Sequence, residues 1–144
     1  MRLSAHFTLS ELSHTGQAAY AAQNAHEAEL HQDVLRAVCD LLLEPIRAHF
    51  GPVTIHSGYR CPELNAAIGG AKSSQHMKGE AADFHVAGHS LEEVWTWIRD
   101  SSGIQVGQCL LEGHGGAPTW IHISLGAPYR IASKCGQFIV VKDG

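Results

Sequence analysis

The sequence lacks any run of basic residues. Its 144 residues contain 10 Lys and Arg against 14 Asp and Glu, which gives a formal net charge of −4. A protein that binds nucleic acid or an anionic membrane through its charge carries a clustered basic patch. The composition therefore predicts no nucleic-acid partner and no electrostatic attachment to a membrane.

Long apolar segments and internal divisions are missing too. No stretch approaches the roughly 20 apolar residues that cross a bilayer, and residues 1–12 lack the apolar centre of a signal peptide. We therefore expect no membrane partner and a protein that is cytoplasmic as synthesised. No repeat, low-complexity tract or linker divides the chain, which predicts a single domain over residues 1–144. We also expect a monomer.

The four cysteines show no C-x-x-C pair. Cys39, Cys61, Cys109 and Cys135 are far apart along the chain. This spacing argues against a zinc knuckle and against a thioredoxin-type motif. We expect ordinary buried thiols, because free cysteine packs as a small apolar side chain.

Helical patterns occupy the first third of the chain. Thr8 and Glu11 have the spacing of a capping box, which predicts a helix that begins near Ser10. Apolar residues then recur at helical spacing over residues 28–50, which predicts a helix that Pro45 would kink or end early. The residues expected on its buried stripe are Leu30, Val34, Val38, Leu41 and Leu42.

From Pro52 onward the pattern changes to short strands. The predicted strands are VTIHSGYR, AADFHV, VGQCLLE, TWIHISL and, at the end, GQFIVV. Two helices interrupt them, PELNAAIGG and LEEVWTWIRD, and the second follows a capping box of Ser90 and Glu93. Helices followed by mainly antiparallel strands predict an α+β fold, with the helices packed against a small sheet.

The chain contains eleven histidines, and two of them form the best candidate metal site together with Asp83. Six residues separate His76 from Asp83, and Gly79 among them can take a positive φ and turn the chain back. Asp83 lies in an apolar strand, where a cation would offset the cost of burying a carboxylate. His122 projects from its strand on the face opposite to Ile121. A hydrogen-bonded or exposed position is the commoner explanation for each residue alone, so spacing leaves both interpretations open.

Longer segments resemble a known family. The segments are HFTLSEL, LLEPIRAHFGPVTIHSGYRCPELNAAIGG, SSQHMKGEAADF, CLLE and WIHISL. They resemble the zinc D-Ala-D-Ala carboxypeptidases and phage L-alanyl-D-glutamate endopeptidases, which share a fold with the hedgehog signalling domain. The phage and prophage branch is the most similar. The resemblance implies a hedgehog/DD-peptidase-like fold, one Zn²⁺ ion held by His76, Asp83 and His122, and peptides of bacterial peptidoglycan as partners.

The resemblance also implies roles for residues near the metal. Arg60 falls on the position that binds or polarises a substrate carbonyl or carboxylate, a role that suits its rigid, permanently charged side chain. Ser74 is expected to steady the ligand loop through a hydrogen bond. His114, in the Gly-rich loop, is a candidate acid or transition-state stabiliser. We place all three residues among those that bind the substrate.

One position departs from the family pattern. Better-known members carry an acidic general base three residues before the last ligand histidine, where this chain has Thr119. The nearest preceding acid is Glu112, which shares the face of His122 only if the two strands pair in an even register, with Leu110 opposite His122. We predict that register and Glu112 as the catalytic base. Glu80 is the rival base.

These residues predict a zinc metallopeptidase, and the resemblance implies that it degrades the cell wall. The expected reaction is hydrolysis of a stem peptide by a metal-activated water, with Glu112 moving the proton and Arg60 stabilising the oxyanion. The bond cut would be of the D-Ala-D-Ala carboxypeptidase or the L-Ala-D-Glu endopeptidase type, and a phage endolysin or virion part would suit this activity. Two alternatives stay open, a zinc-bearing but inactive binding module and a structural component of a phage tail.

Overall fold

The N-terminal helix begins where the sequence predicts. The structure is a computed structural model that describes residues 1–114, 117–126 and 136–141, apart from the side chains of residues 114 and 117. Helix α1 (Leu9–Ser13) follows Thr8, whose hydroxyl oxygen accepts the Glu11 N–H at 3.2 Å. The Glu11 carboxylate accepts the Thr8 N–H at 3.1 Å, so the predicted capping box is confirmed.

The helix predicted over residues 28–50 is divided in the structure. Its parts are α2 (Ala21–Glu29), α3 (Gln32–Val38), a π-helical turn (Cys39–Leu43) and α4 (Glu44–Phe50). The predicted start was wrong, because the chain turns at Leu30, which is exposed. Leu41 is exposed as well, since the wider π-helical turn changes the phase of the buried stripe. Pro45 lies in the first turn of α4, where its missing N–H costs no hydrogen bond.

Five strands form one sheet in the order β1-β2-β4-β3-β5. The strands are β1 (Val53–Ser57), β2 (Ala81–Val86), β3 (Val106–His114), β4 (Ala117–Leu125) and β5 (Gln137–Val140). Neighbouring strands are antiparallel except β3 and β5, which are parallel. The predicted α+β fold, with a mainly antiparallel sheet, is confirmed.

Two further helices connect the strands. Helix α5 (Pro62–Ala67) follows β1, and α6 (Leu91–Asp100) follows β2. The hydroxyl of Ser90 accepts the Glu93 N–H at 3.1 Å and caps α6 as predicted, whereas the Glu93 carboxylate contacts His89. No helix in the described part of the chain combines the length and apolarity needed to cross a bilayer.

The core lies on one face of the central strands. Alternate residues of β2 and β4, such as Phe84, Ile121 and Ile123, are fully buried beneath α3, α6 and the π-helical turn. Burying one such side chain stabilises the fold by roughly 1.5–3 kcal/mol. Because side chains alternate along a strand, Asp83 and His122 lie on the other face of the same strands.

The described cysteines belong to the interior. Cys39, Cys61 and Cys109 are free thiols and fully buried, which confirms the prediction for these three. Burial raises the pKa of Cys39 to about 12, so its thiol is protonated and unreactive at neutral pH. Cys135 lies outside the described residues.

The segment after β1 packs directly on α1. A Cβ on Gly58 would overlap the carbonyl oxygen of Leu12, and the same oxygen accepts the Tyr59 N–H at 2.7 Å. Asn24, buried on α2, holds the segment from the other side. Its amide group donates to the carbonyl oxygens of Ser13 and Tyr59 at 2.8 and 3.0 Å, and its Oδ1 accepts the N–H of the residue after Arg60 at 2.7 Å. This close approach fixes the backbone next to the candidate site.

Candidate metal centre and cleft

Three potential ligands converge on the face of the sheet opposite to the core. The pairing of β2 with β4 places Asp83 directly across from His122. His76 comes from a 3-10 turn (Gln75–Lys78) that leads into β2. One ligand atom from each residue lies within 4.8 Å of the others, and all three residues are at least nine-tenths buried. The predicted trio is therefore brought together.

The turn that carries His76 is shaped by its two ends. Ser74 precedes it, and its hydroxyl oxygen accepts the His76 N–H at 3.2 Å, which is the hydrogen bond expected for the ligand loop. Gly79 ends the turn with φ of 72°, the left-handed conformation that the sequence predicts there. The backbone then returns into β2, which carries Asp83.

His76 presents a ring lone pair to a carboxylate. Its Nδ1 lies 2.7 Å from the carbonyl oxygen of Gly58, which can only accept, so Nδ1 carries the proton and donates it. A neutral ring then has no proton on Nε2, which lies 3.2 Å from Oδ1 of Asp83. A lone pair and a carboxylate oxygen repel each other at this distance, unless a metal ion or a second ring proton lies between them.

His122 shows the same pattern with its nitrogens exchanged. Its Nδ1 lies 2.8 Å from Oδ1 of Asp83, and its Nε2 lies 2.7 Å from Oε1 of Gln75. A neutral imidazole has one proton, which cannot satisfy both acceptors. A metal ion beside Nδ1 resolves the conflict, because Nε2 then keeps the proton and donates it to Gln75. Two imidazole nitrogens and one carboxylate form the donor set of a catalytic zinc site, so these residues fit a zinc ion.

The carboxyl group of Asp83 is ready to bind a cation. Burial alone would raise its pKa, but His76 and His122, when their rings carry protons on the nitrogens that face Asp83, hold the pKa well below its usual range through charge and hydrogen bonds. A metal ligand must be deprotonated. Asp83 meets that condition at neutral pH.

The trio opens into a cleft of about 330 Å³. The residues around it are Arg60, Ala71, Ser73, Ser74, Gln75, His76, Lys78, Asp83, Gln108, Leu110, Glu112 and His122.

The even strand register is confirmed, with Leu110 opposite His122 and Glu112 opposite Trp120. The pKa of Glu112 is raised, because burial and the charge of Asp83 raise it more than the charge of His122 and a hydrogen bond with Trp120 lower it. A carboxylate with a raised pKa suits proton transfer near neutral pH.

Arg60 lies in the same cleft with unused hydrogen-bonding capacity. Its backbone N–H donates to the carbonyl oxygen of His76 at 3.1 Å. Its side-chain Nε is buried and has no hydrogen-bond partner among the described residues. Burial lowers the pKa of Arg60, whereas the charges of Asp83 and Glu112 raise it. A buried, unpartnered guanidinium donor is suited to an oxyanion or a carbonyl oxygen.

Other residues singled out in the sequence lie away from the cleft or outside the described part. Thr119 is exposed, and Glu80 is not among the described residues that form the cleft. The side chain of His114 lies outside the described residues, so its role stays a prediction. His85 faces His56, with their ring nitrogens 2.6 Å apart, and takes no part in the trio.

A second group of potential ligands is explained without a metal. Glu27, Cys61 and Glu63 lie close together on α2 and at the start of α5. The side-chain amide of Gln23 donates to Glu27 at 2.8 Å and to Glu63 at 2.9 Å. A hydrogen-bond donor already bridges these two carboxylates.

Sequence reasoning missed Gln75 and Asn24. Gln75 adjoins His76 in the sequence, which is the only local sign of its contact with His122. Asn24 lies at an ordinary position of α2, and its three backbone partners come from two other segments, the end of α1 and the chain after β1. Only the tertiary arrangement reveals either role.

The chain was compared with known protein families and with curated proteins. The sequence model of the family described as Peptidase M15 matches residues 5–124. The match covers most of the 144 residues and includes every described residue that forms the cleft. No curated protein matches the chain significantly.

Proposed function

Because this chain belongs to the peptidase M15 family and is a zinc metallopeptidase, we propose that it hydrolyses peptide bonds in the stem peptides of bacterial peptidoglycan. The observation that carries the proposal is the convergence of His76, Asp83 and His122 at a cleft that also contains Glu112 and Arg60. We further propose one zinc ion per chain, held by this trio.

The proposed chemistry divides between the ion and the surrounding side chains. A zinc ion at the trio supplies a bound water whose pKa is lowered towards neutrality. Glu112, whose pKa is raised by burial, accepts the proton of the attacking water and donates it to the leaving amine. Proton transfer of this kind contributes about 10²- to 10⁴-fold to the rate. Ser74 acts on the same step indirectly, by holding the backbone of His76.

Arg60 binds the substrate in this proposal. Its unpartnered Nε and permanent charge suit either the scissile carbonyl oxygen or a free carboxylate beside it. A terminal carboxylate would make the enzyme a D-Ala-D-Ala carboxypeptidase, whereas an internal carbonyl would suit an L-Ala-D-Glu endopeptidase. Both specificities lie within the proposal, as does a monomeric phage endolysin or virion component.

The direct test measures the release of new amino groups from purified peptidoglycan. Mass spectrometry of the products then distinguishes free D-Ala from new D-Glu N-termini. We expect activity in the zinc-loaded wild type, loss on chelation, and a fall of at least 10²-fold in Glu112→Gln with zinc still bound. Activity that survives both chelation and His122→Ala would contradict the zinc mechanism, and full activity of zinc-loaded Glu112→Gln would assign the base elsewhere.

A zinc-bearing cell-wall binding module is the second candidate function, and a phage tail component would act in the same way. The exposed Thr119 at the usual position of the acid favours it. Zinc-loaded wild type that sediments with peptidoglycan and releases no amino groups would support this function over hydrolysis.

A further inference from the structure

Gln75 combines burial with an unused hydrogen-bond donor in the cleft. Its side chain is among those that form the cleft, and the residue is only 8% exposed. Its Oε1 lies 2.7 Å from Nε2 of His122, whereas its own Nε2 has no hydrogen-bond partner in the part of the chain that the structure describes. A buried donor without a partner destabilises the fold, so its presence in a cleft points to a ligand.

The orientation of the Gln75 amide follows from His122. Oδ1 of Asp83 lies beside Nδ1 of His122, where the metal ion belongs, so the ring proton resides on Nε2. That N–H can be accepted only by the carbonyl oxygen of Gln75. The amide NH₂ group is then directed away from the histidine, on a side chain that lines the cleft.

We propose that Gln75 is a further substrate-binding residue, whose NH₂ group donates a hydrogen bond to a carbonyl or carboxylate oxygen of the bound peptide. Its carbonyl group at the same time holds His122 in the tautomer that binds metal through Nδ1. This inference rests on the proposed peptidase function. It gives the cleft two unpartnered donors, Gln75 and Arg60, which match the oxygen-rich backbone of a peptide.

The first test separates substrate binding from metal positioning with two variants. Gln75→Met is uncharged and of similar length but removes both the donor and the acceptor, and Gln75→Glu keeps an acceptor for His122. Gln108→Met is the matched control, because Gln108 borders the same cleft but its amide already donates to Gln137 at 3.0 Å. Zinc affinity is measured by chelator competition, and kcat/KM on peptidoglycan peptides is measured at saturating zinc.

Each variant has its own expected result. Gln75→Met should bind zinc about 10- to 100-fold more weakly, and its kcat/KM should stay at least tenfold below wild type at saturating zinc. Gln75→Glu should retain zinc affinity and still lose kcat/KM, because a carboxylate cannot donate. Gln108→Met should stay within about threefold of wild type in both measurements. A Gln75→Met variant whose kcat/KM recovers fully at saturating zinc would overturn the substrate contact.

A second measurement is independent of turnover. In zinc-loaded wild type, the ¹H–¹⁵N signal of the Gln75 side-chain amide is identified by its absence from the spectrum of Gln75→Glu. Adding a purified peptidoglycan stem peptide should shift this signal, even if the peptide is bound and not cleaved. An unchanged signal at a peptide concentration that shifts other cleft resonances would refute the contact, whereas failure of the proposed function would appear as absent hydrolysis.

Discussion

Gly58→Ala tests how the helical layer supports the metal site. The added Cβ would overlap the carbonyl oxygen of Leu12 and lie 2.8 Å from its carbonyl carbon and its Cα. All three atoms belong to the backbone of Leu12, so no side chain can move aside. The two segments must separate, which breaks the 2.7 Å hydrogen bond from Tyr59 to Leu12 and displaces the carbonyl group that accepts from His76.

The expected change in stability has two parts, the overpacked contact and the lost hydrogen bond. Overpacking a tight contact costs about 1–3 kcal/mol, and one lost hydrogen bond about 1 kcal/mol. We expect Gly58→Ala to lower the free energy of unfolding by about 2–4 kcal/mol. Zinc affinity should fall by about 10- to 100-fold, because the partner that orients a ligand histidine has moved.

The assays are urea unfolding of the zinc-free protein and chelator competition on the folded protein. Gly16→Ala is the matched control, since a Cβ there meets nothing within 4 Å and its φ is not positive. The control should differ from wild type by less than about 0.5 kcal/mol. If Gly58→Ala lost stability but kept full zinc affinity, the Gly58 carbonyl group would have no role in orienting His76.

Three further predictions follow from other contacts. Asn24→Ala should lower the free energy of unfolding in urea by about 2–4 kcal/mol, because buried backbone groups lose their partners. As a control on the same helix, a change of the exposed Glu29 to Ala should alter it by less than about 0.5 kcal/mol. As the pH is lowered, kcat/KM should begin to fall at a pH above the usual pKa of glutamate, because burial raises the pKa of Glu112 and only the ionised carboxylate accepts a proton. Zinc content measured at each pH excludes loss of the metal as the cause. Burial alone would raise the pKa of Glu44, but hydrogen bonds from Ser4 and His6 lower this pKa in the folded state. The stability that Glu44 contributes is therefore present above its unfolded-state pKa and is lost as the pH falls through its folded-state pKa. Glu44→Gln should therefore be destabilised at pH 7, by about 1–2 kcal/mol, and approach wild type in strong acid; an equal difference at both pH values would refute this.

The sequence predicts those features that depend on local pattern. Alternation identifies β2 and β4, and the predicted even register of β3 and β4 places Glu112 on the face of His122. The pairing of β2 with β4 brings Asp83 to the same face. The capping box identifies the start of α1. The turn at Leu30 escapes prediction, because the apolar repeat continues through it and only packing against the core determines which leucines are buried.

Hydrogen-bond partners from distant segments escape prediction for a different reason. Gly58 is 18 residues from His76, and Gln75 is 47 residues from His122. Each pair spans several separate elements, so no local pattern in the sequence marks either pair. The candidate ligands are therefore predictable from a motif, whereas the groups that orient them require the fold.

Metal binding and folding should be strongly coupled in this chain. Without a metal, one nitrogen of His76 and one of His122 lie 3.2 and 2.8 Å from the same oxygen of Asp83. The two neutral rings have too few protons for this oxygen and for their acceptors at Gly58 and Gln75, so the buried site must take up a proton or relax. A zinc ion removes that conflict only in the folded state, where the ligands meet. At a free zinc concentration 100 times the dissociation constant, linkage predicts about 2.7 kcal/mol of added stability. Urea unfolding with zinc and with chelator measures this difference, and His122→Ala should abolish most of it. Equal midpoints with and without zinc would show that the trio holds no ion.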